Sequence, residues 1–121
     1  MAKVDFILHR GKQILFMDYS NSDKNSILKA IEQTKSIAEK QIKPGTGLGL
    51  MDVTDSDFDP DIVKALKDLA VKNKPYMKMT AIVGVEGLKT AIYNVIIEFT
   101  GRKNLVLFDH KEKAKDYLTE I

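Results

Sequence analysis

Residues 47–69 read GLGLMDVTDSDFDPDIVKALKDL, an apolar run, an acid-rich turn and an amphipathic segment in direct succession. Leu48, Leu50, Met51 and Val53 form a short continuous apolar stretch, the pattern of a strand covered on both faces in a parallel sheet. Asp52, Thr54, Asp55, Ser56, Asp57 and Asp59 follow abruptly. The carboxyl end of such a strand is where open α/β sheets place their sites. Pro60 behind Asp59 has the form of a first-turn proline behind its N-cap, and Ile62, Val63, Leu66, Leu69 and Ala70 make the inner stripe of the helix that follows.

Upstream, Val4–His9 and Gln13–Tyr19 are strand-like runs joined by Arg10-Gly11, which predicts an antiparallel hairpin. Asn21, Ser22, Asp23 and Asn25 can cap a helix whose apolar residues are Ile27, Ala30, Ile31, Thr34, Ile37, Ala38 and Ile42, ended by Lys43-Pro44-Gly45. Downstream, Met77–Val83 reads as a strand and Gly84-Val85-Glu86-Gly87 as a turn. Leu88, Ala91, Ile92, Val95, Ile96 and Phe99 then recur as the inner face of a third helix, with Gly101 as its left-handed cap. Leu105–Phe108 is a short strand. Asp109 and Glu112 match a capping box opening a last helix with Ala114, Tyr117, Leu118 and Ile121 inside. The order ββαβαβαβα predicts a mostly parallel sheet with an antiparallel N-terminal strand and four helices, in one domain spanning 1–121.

Composition narrows the chemistry. The 121 residues contain no cysteine, which excludes disulfides, thiolate metal sites and thiol catalysis, and is compatible with a reducing cytosol. Nineteen basic against 17 acidic residues leave a net charge of +2, too small to argue for nucleic acid as a partner. No stretch approaches the roughly 18 apolar residues of a membrane span, and the first residues lack a basic region followed by an apolar core. The expectation is a soluble, cytoplasmic chain.

Known motifs fail one at a time. Asp55, Asp57, Asp59 and Asp61 alternate like calcium ligands, but Pro60 stands where an EF-hand needs glycine and Leu66 where it needs a bidentate glutamate. Gly45-Thr46-Gly47-Leu48-Gly49 precedes a strand instead of following one, so it cradles no dinucleotide. Gly84-Val85-Glu86-Gly87 has no lysine, and Glu86 repels phosphate. Asp52 stands where a receiver domain carries its phosphoacceptor, yet Asp18 is a lone second acid and no lysine follows the last strand before its helix cap. His9 and His110 are ordinary surface positions. Ser56 and Thr54, at the mouth of the second helix, are plausible phosphoacceptors, since added negative charge there meets the helix dipole; turn chemistry explains them equally well. Tyr93 and Ile97 lie nearly opposite the expected core stripe of the third helix. They suit a homodimer contact, a partner surface or the wall of an apolar ligand site, and equally a helix flanked by its neighbour. No metal or cofactor is expected.

The element order, the Asp52-Val53-Thr54 strand end, the run 81–89 (AIVGVEGLK), Phe99-Thr100-Gly101-Arg102 and Leu107-Phe108-Asp109, continued by Glu112, Ala114 and Leu118, together resemble the STAS domains. More closely, the chain is similar to the SpoIIAA-like bacterial proteins, which border on the CRAL-TRIO lipid-transfer fold. The resemblance implies a non-enzymatic regulatory module with a protein partner, a kinase or anti-sigma-like regulator, docked around Asp52, Thr54, Asp55, Ser56, Asp57, Asp59 and Glu86. In anti-sigma factor antagonists an Asp-Ser-Ser-Gly motif at the second helix is phosphorylated. This sequence has Asp55-Ser56-Asp57-Phe58-Asp59 there, so carboxylates take the place of the switch. The lipid-transfer side of the resemblance implies instead a small lipophilic ligand in an apolar site, with Tyr93, Ile97 and Phe99 as its candidate contacts.

Overall fold

The computed structural model describes residues 1–56 and 58–121, with the backbone alone at Leu88. Its elements follow the expected order: β1 (Lys3–His9), β2 (Lys12–Asp18), α1 (Lys24–Gln41), β3 (Gly47–Asp52), α2 (Pro60–Asn73), β4 (Met77–Val83), α3 (Leu88–Thr100), β5 (Leu105–Phe108) and α4 (Lys111–Glu120). The strands lie side by side in the order β1-β2-β3-β4-β5. β1 and β2 are antiparallel and every later pairing is parallel. The quoted apolar run is thus the middle strand of five. Arg10 and Gly11 both take positive φ, 50° and 77°, which suits a two-residue turn matched to the strand twist.

Strand alternation divides the core in two. On one face Leu15, Met17 and Tyr19 of the β2 segment pack against Ile27, Ala30, Ile31 and Ala38 of α1 and Ile62, Leu66 and Leu69 of α2. On the other, Ile14, Leu50, Ala81 and Val83 meet Ala114 and Leu118 of α4. Placing α1, α2 and α3 together on one face follows from successive right-handed crossovers. Burial of these apolar side chains, about 1.5–3 kcal/mol for each complete Leu, Ile, Val or Met, is what holds the layers together.

Two helix starts are as expected from sequence. Asp23 caps α1 by accepting from the Ser26 N–H at 2.8 Å, and Asp59 caps α2 by accepting from the Ile62 N–H at 2.9 Å, with Pro60 in the first turn. The start of α4 differs. His110, not Asp109, occupies the N-cap, and it makes no side-chain capping bond. The capping box therefore fails by one residue, and Glu112 instead pairs with Lys115 at 3.1 Å.

The larger correction concerns α3. Ala91 faces solvent, as do Val95 at 48% and Phe99 at 64% exposure, whereas Ile92, Tyr93 and Ile96 turn inward with Lys89. The inner stripe is thus shifted around the axis from the one that the periodicity suggested. The cause is that the polar strip of α3, Thr90, Asn94 and Glu98, is narrow, and the apolar arc it leaves is too wide for periodicity to fix which part turns inward.

A candidate apolar cavity beside a polar rim

The carboxyl end of β3 separates into an inward and an outward set. Asp52 is 4% exposed; its Oδ1 accepts from the Thr54 N–H at 2.9 Å and from the Thr54 hydroxyl at 2.6 Å. Ser56 is 7% exposed and its hydroxyl donates to the Tyr19 carbonyl. Thr54, Asp55, Asp61 and Glu86 are exposed, and Asp59 is half-buried. Asp57 lies outside the described residues. The expected binding surface is therefore a rim of the outward residues, with Asp52 and Ser56 as its internal supports.

The arrangement around Asp52 has a feature not visible along the chain. Lys111, in the first turn of α4, brings its Nζ to 3.8 Å from Asp52 Oδ2, and Asp18 is the register partner of Asp52 on the adjacent strand. A lysine thus does approach this carboxylate, from the first turn of α4 just beyond the His110 cap. Asp18 is itself engaged, accepting from the Ser20 hydroxyl at 2.5 Å. Among the described residues no three His, Asp or Glu side chains converge as a metal site.

Lys24 joins the starts of α1 and α2. Its ammonium lies 3.0 Å from Asp59 and 2.6 Å from Asp61. The Ile62 N–H, and then Lys24, hold the Asp59 carboxyl below the usual carboxylate range, and Lys24 is raised in return by Asp61 and Asp59.

On the α1–α3 side, α3 leans on α2 and leaves an apolar cavity of about 60 Å³ between itself, α2 and the strands. Met17, Met51, Leu66, Leu69, Ile82, Ile92 and Ile96 supply its hydrocarbon. Tyr93 is part of the wall and Ile97 is not. Phe99, expected as a contact, stands outside beneath the Lys67 ammonium. At the rim end, Lys89 donates to the Val53 carbonyl at 2.6 Å and lies over the Phe58 ring.

At the inner end the cavity is polar. Arg102, 5% exposed, donates from Nε to Asn104 Oδ1 at 2.8 Å and from Nη1 to the Ala70 carbonyl at 3.3 Å. Its Nη2, and Oδ1 of the 4% exposed Asn73, have no hydrogen-bond partner among the described residues. Burial lowers the Arg102 guanidinium from its ordinary value to about 10. Sequence reasoning missed Arg102, Asn73 and Lys89 as site residues. A cation one residue past a glycine cap ordinarily reads as surface, and no pattern along the chain marks it as buried.

The fold class is a mixed α/β sheet with α4 alone on one face. Two solved structures share it, and both place it in the STAS, SpoIIAA-like type. An uncharacterized protein of the DUF3478 family with a SpoIIAA-like fold, from Shewanella loihica PV-4, superposes with a TM-score of 0.75 over 97% of this chain and 93% of that one, at 19% identity. An anti-sigma-factor antagonist (STAS) domain protein from Planctomyces limnophilus gives a TM-score of 0.65 over 96% of this chain and 97% of that one, at 10% identity. Neither a scan of protein-family models nor a search of curated proteins finds a match. No described helix is long and apolar enough to cross a membrane.

Proposed function

We propose that this chain is a non-enzymatic, cytoplasmic carrier or sensor of a small lipophilic molecule, held in the cavity under α3. One observation carries the reading: a helix with only a narrow polar strip, Thr90, Asn94 and Glu98, stands over an apolar cavity, with none of its described side chains fully buried. Ligand sites are concave and mostly apolar, with few polar groups. Four of the five methionines test it, because Met17 and Met51 line the cavity, Met79 lies on the α4 face and Met1 is exposed. In a spectrum of methionine ε-methyl groups, added octanol is expected to shift Met17 and Met51 and leave Met1 and Met79 in place. Shifts spread over all four, or none, overturn the reading.

A second reading is a regulatory module with a protein partner, a kinase or an anti-sigma-like regulator. The outward rim of Thr54, Asp55, Asp61 and Glu86 favours it, and the name of the Planctomyces neighbour supports a partner of that kind. Reversing charge with Asp55→Lys and Glu86→Lys is expected to release any partner retained by the wild-type chain, whereas unchanged retention removes the rim from consideration.

A further inference from the structure

The polar end of the cavity says more about the occupant than its apolar walls do. A buried guanidinium normally has a carboxylate or a full set of hydrogen bonds, since desolvating a charge without either is costly. Arg102 has neither: no Asp or Glu among the described residues lies within ion-pair distance, and Nη2 is unpartnered. The rest of its side chain is held in place. Asn104 accepts from Nε and is itself fixed by donating from Nδ2 to the Met77 carbonyl at 2.9 Å, while the Ala70 carbonyl takes Nη1. Asn73, whose oxygen and nitrogen are interchangeable by a flip of the amide, stands in the same wall, its buried oxygen without a partner among the described residues.

Resting on the cavity reading above, we propose that the occupant is an apolar monocarboxylate, with its carboxylate on Arg102 Nη2 and its hydrocarbon among Leu69, Ile82, Ile92 and Ile96. A single charge is specified because, among the described residues, no second cation lines the cavity at that end. Asn73, turned to present its amide N–H, supplies a neutral second donor. Serving only as a tie for the end of α2 through Ala70 would account for Nη1, but not for a nitrogen left bare beside an apolar cavity.

Size sets a condition. About 60 Å³ is less than the roughly 150 Å³ that accommodates benzene, so a longer chain enters only as α3 lifts. That helix follows its N-cap Gly87 without a side-chain capping bond, and Val95 and Phe99 are already in solvent, so what its displacement uncovers is chiefly the apolar wall that the ligand's hydrocarbon would cover.

Octanoate, octanol and octylammonium have the same chain and different heads, and titrating each while following the methionine methyls separates the two claims. The charge-assisted hydrogen bond is expected to make octanoate bind about tenfold or more tighter than octanol, with octylammonium weakest. Arg102→Gln is expected to remove the preference for octanoate over octanol. Equal binding of octanoate and octanol at Met17 and Met51 overturns the anion proposal and leaves the cavity reading standing; no shift with any of the three overturns both. Octanoate shifts confined to Met1 and Met79 overturn the proposal as a surface effect, and a cavity holding only water gives the no-shift result. If Arg102→Gln does not fold, the comparison of the three heads on the wild-type chain decides.

Discussion

Lys89 Nζ donates to the Val53 carbonyl at 2.6 Å, tying the first turn of α3 to the end of the central strand. Beyond this, the described side-chain bond from α3 to a strand is a 3.5 Å contact from the Tyr93 hydroxyl to the Leu105 carbonyl. Since hydrogen bonds from charged groups contribute about 1.5–3 kcal/mol, Lys89→Ala is expected to destabilise by about 1.5 kcal/mol, with the loss concentrated in α3. Amide hydrogen exchange checks this. Protection in α3 should be lowest of the four helices in the wild type and fall further in the variant, with β3 unaffected.

Ser56 bears on whether this chain can use a serine switch. The hydroxyl is buried and donates to the Tyr19 carbonyl, so a kinase meets it only after the β3–α2 loop opens. Ser56→Ala removes a buried donor and is expected to cost about 1–2 kcal/mol. Ser56→Asp sets a carboxylate against a carbonyl oxygen and should cost more, about 3 kcal/mol or above. Urea unfolding of the three forms measures both. Equal stability of Ser56→Asp and wild type would place the hydroxyl in solvent and revive a phosphoswitch.

Gly84 presses on the same loop from the other side. Its φ is +88°, and a Cβ there would stand 2.5 Å from the Thr54 backbone nitrogen. Both the left-handed backbone and the contact oppose any side chain, so Gly84→Ala is expected to lose about 2–4 kcal/mol. Because Thr54 in turn orients Asp52 through two hydrogen bonds, the variant should also disturb the Asp52 carboxylate, visible as a shifted carboxyl resonance. An unperturbed Tm would mean that the loop moves aside freely.

These cases show which parts of the molecule could be read along the chain. Strand alternation, the Arg10-Gly11 turn and the Asp59-Pro60 helix start are local, and local chemistry specifies them. The facing of α3 is not local: with Ala91, Ile92, Tyr93, Val95, Ile96 and Phe99 around one axis, only the position of α2 and the sheet decides which enter. The same holds for polar groups that the fold encloses. Ser56 turns inward because Tyr19 ends the neighbouring strand, Lys111 reaches Asp52 because α4 crosses behind β3, and Arg102 is buried because the end of α2 stands beside it.

Acid will act first on the carboxylates that are paired in the folded state. Asp59, Asp68 and Asp116 all lie below the ordinary value of 3.8, held chiefly by the Ile62 N–H, by Lys35 and by His9, whose Nε2 is 2.8 Å from Asp116. A carboxyl depressed on folding contributes stability that is complete above its unfolded value and is lost as pH falls through the folded one. The expected loss therefore begins near pH 4 and deepens below it. Asp59→Asn keeps an oxygen able to cap α2 but cannot hold Lys24 as an ion pair, so it should flatten the acid dependence while sparing much of the helix start. Each of the three carboxylates is at least partly open to solvent, and added salt should shrink the dependence as well. Thermal unfolding followed from pH 6 to pH 2, at low and high salt, measures both effects; an acid slope identical in wild type and Asp59→Asn would remove Asp59 from the linkage.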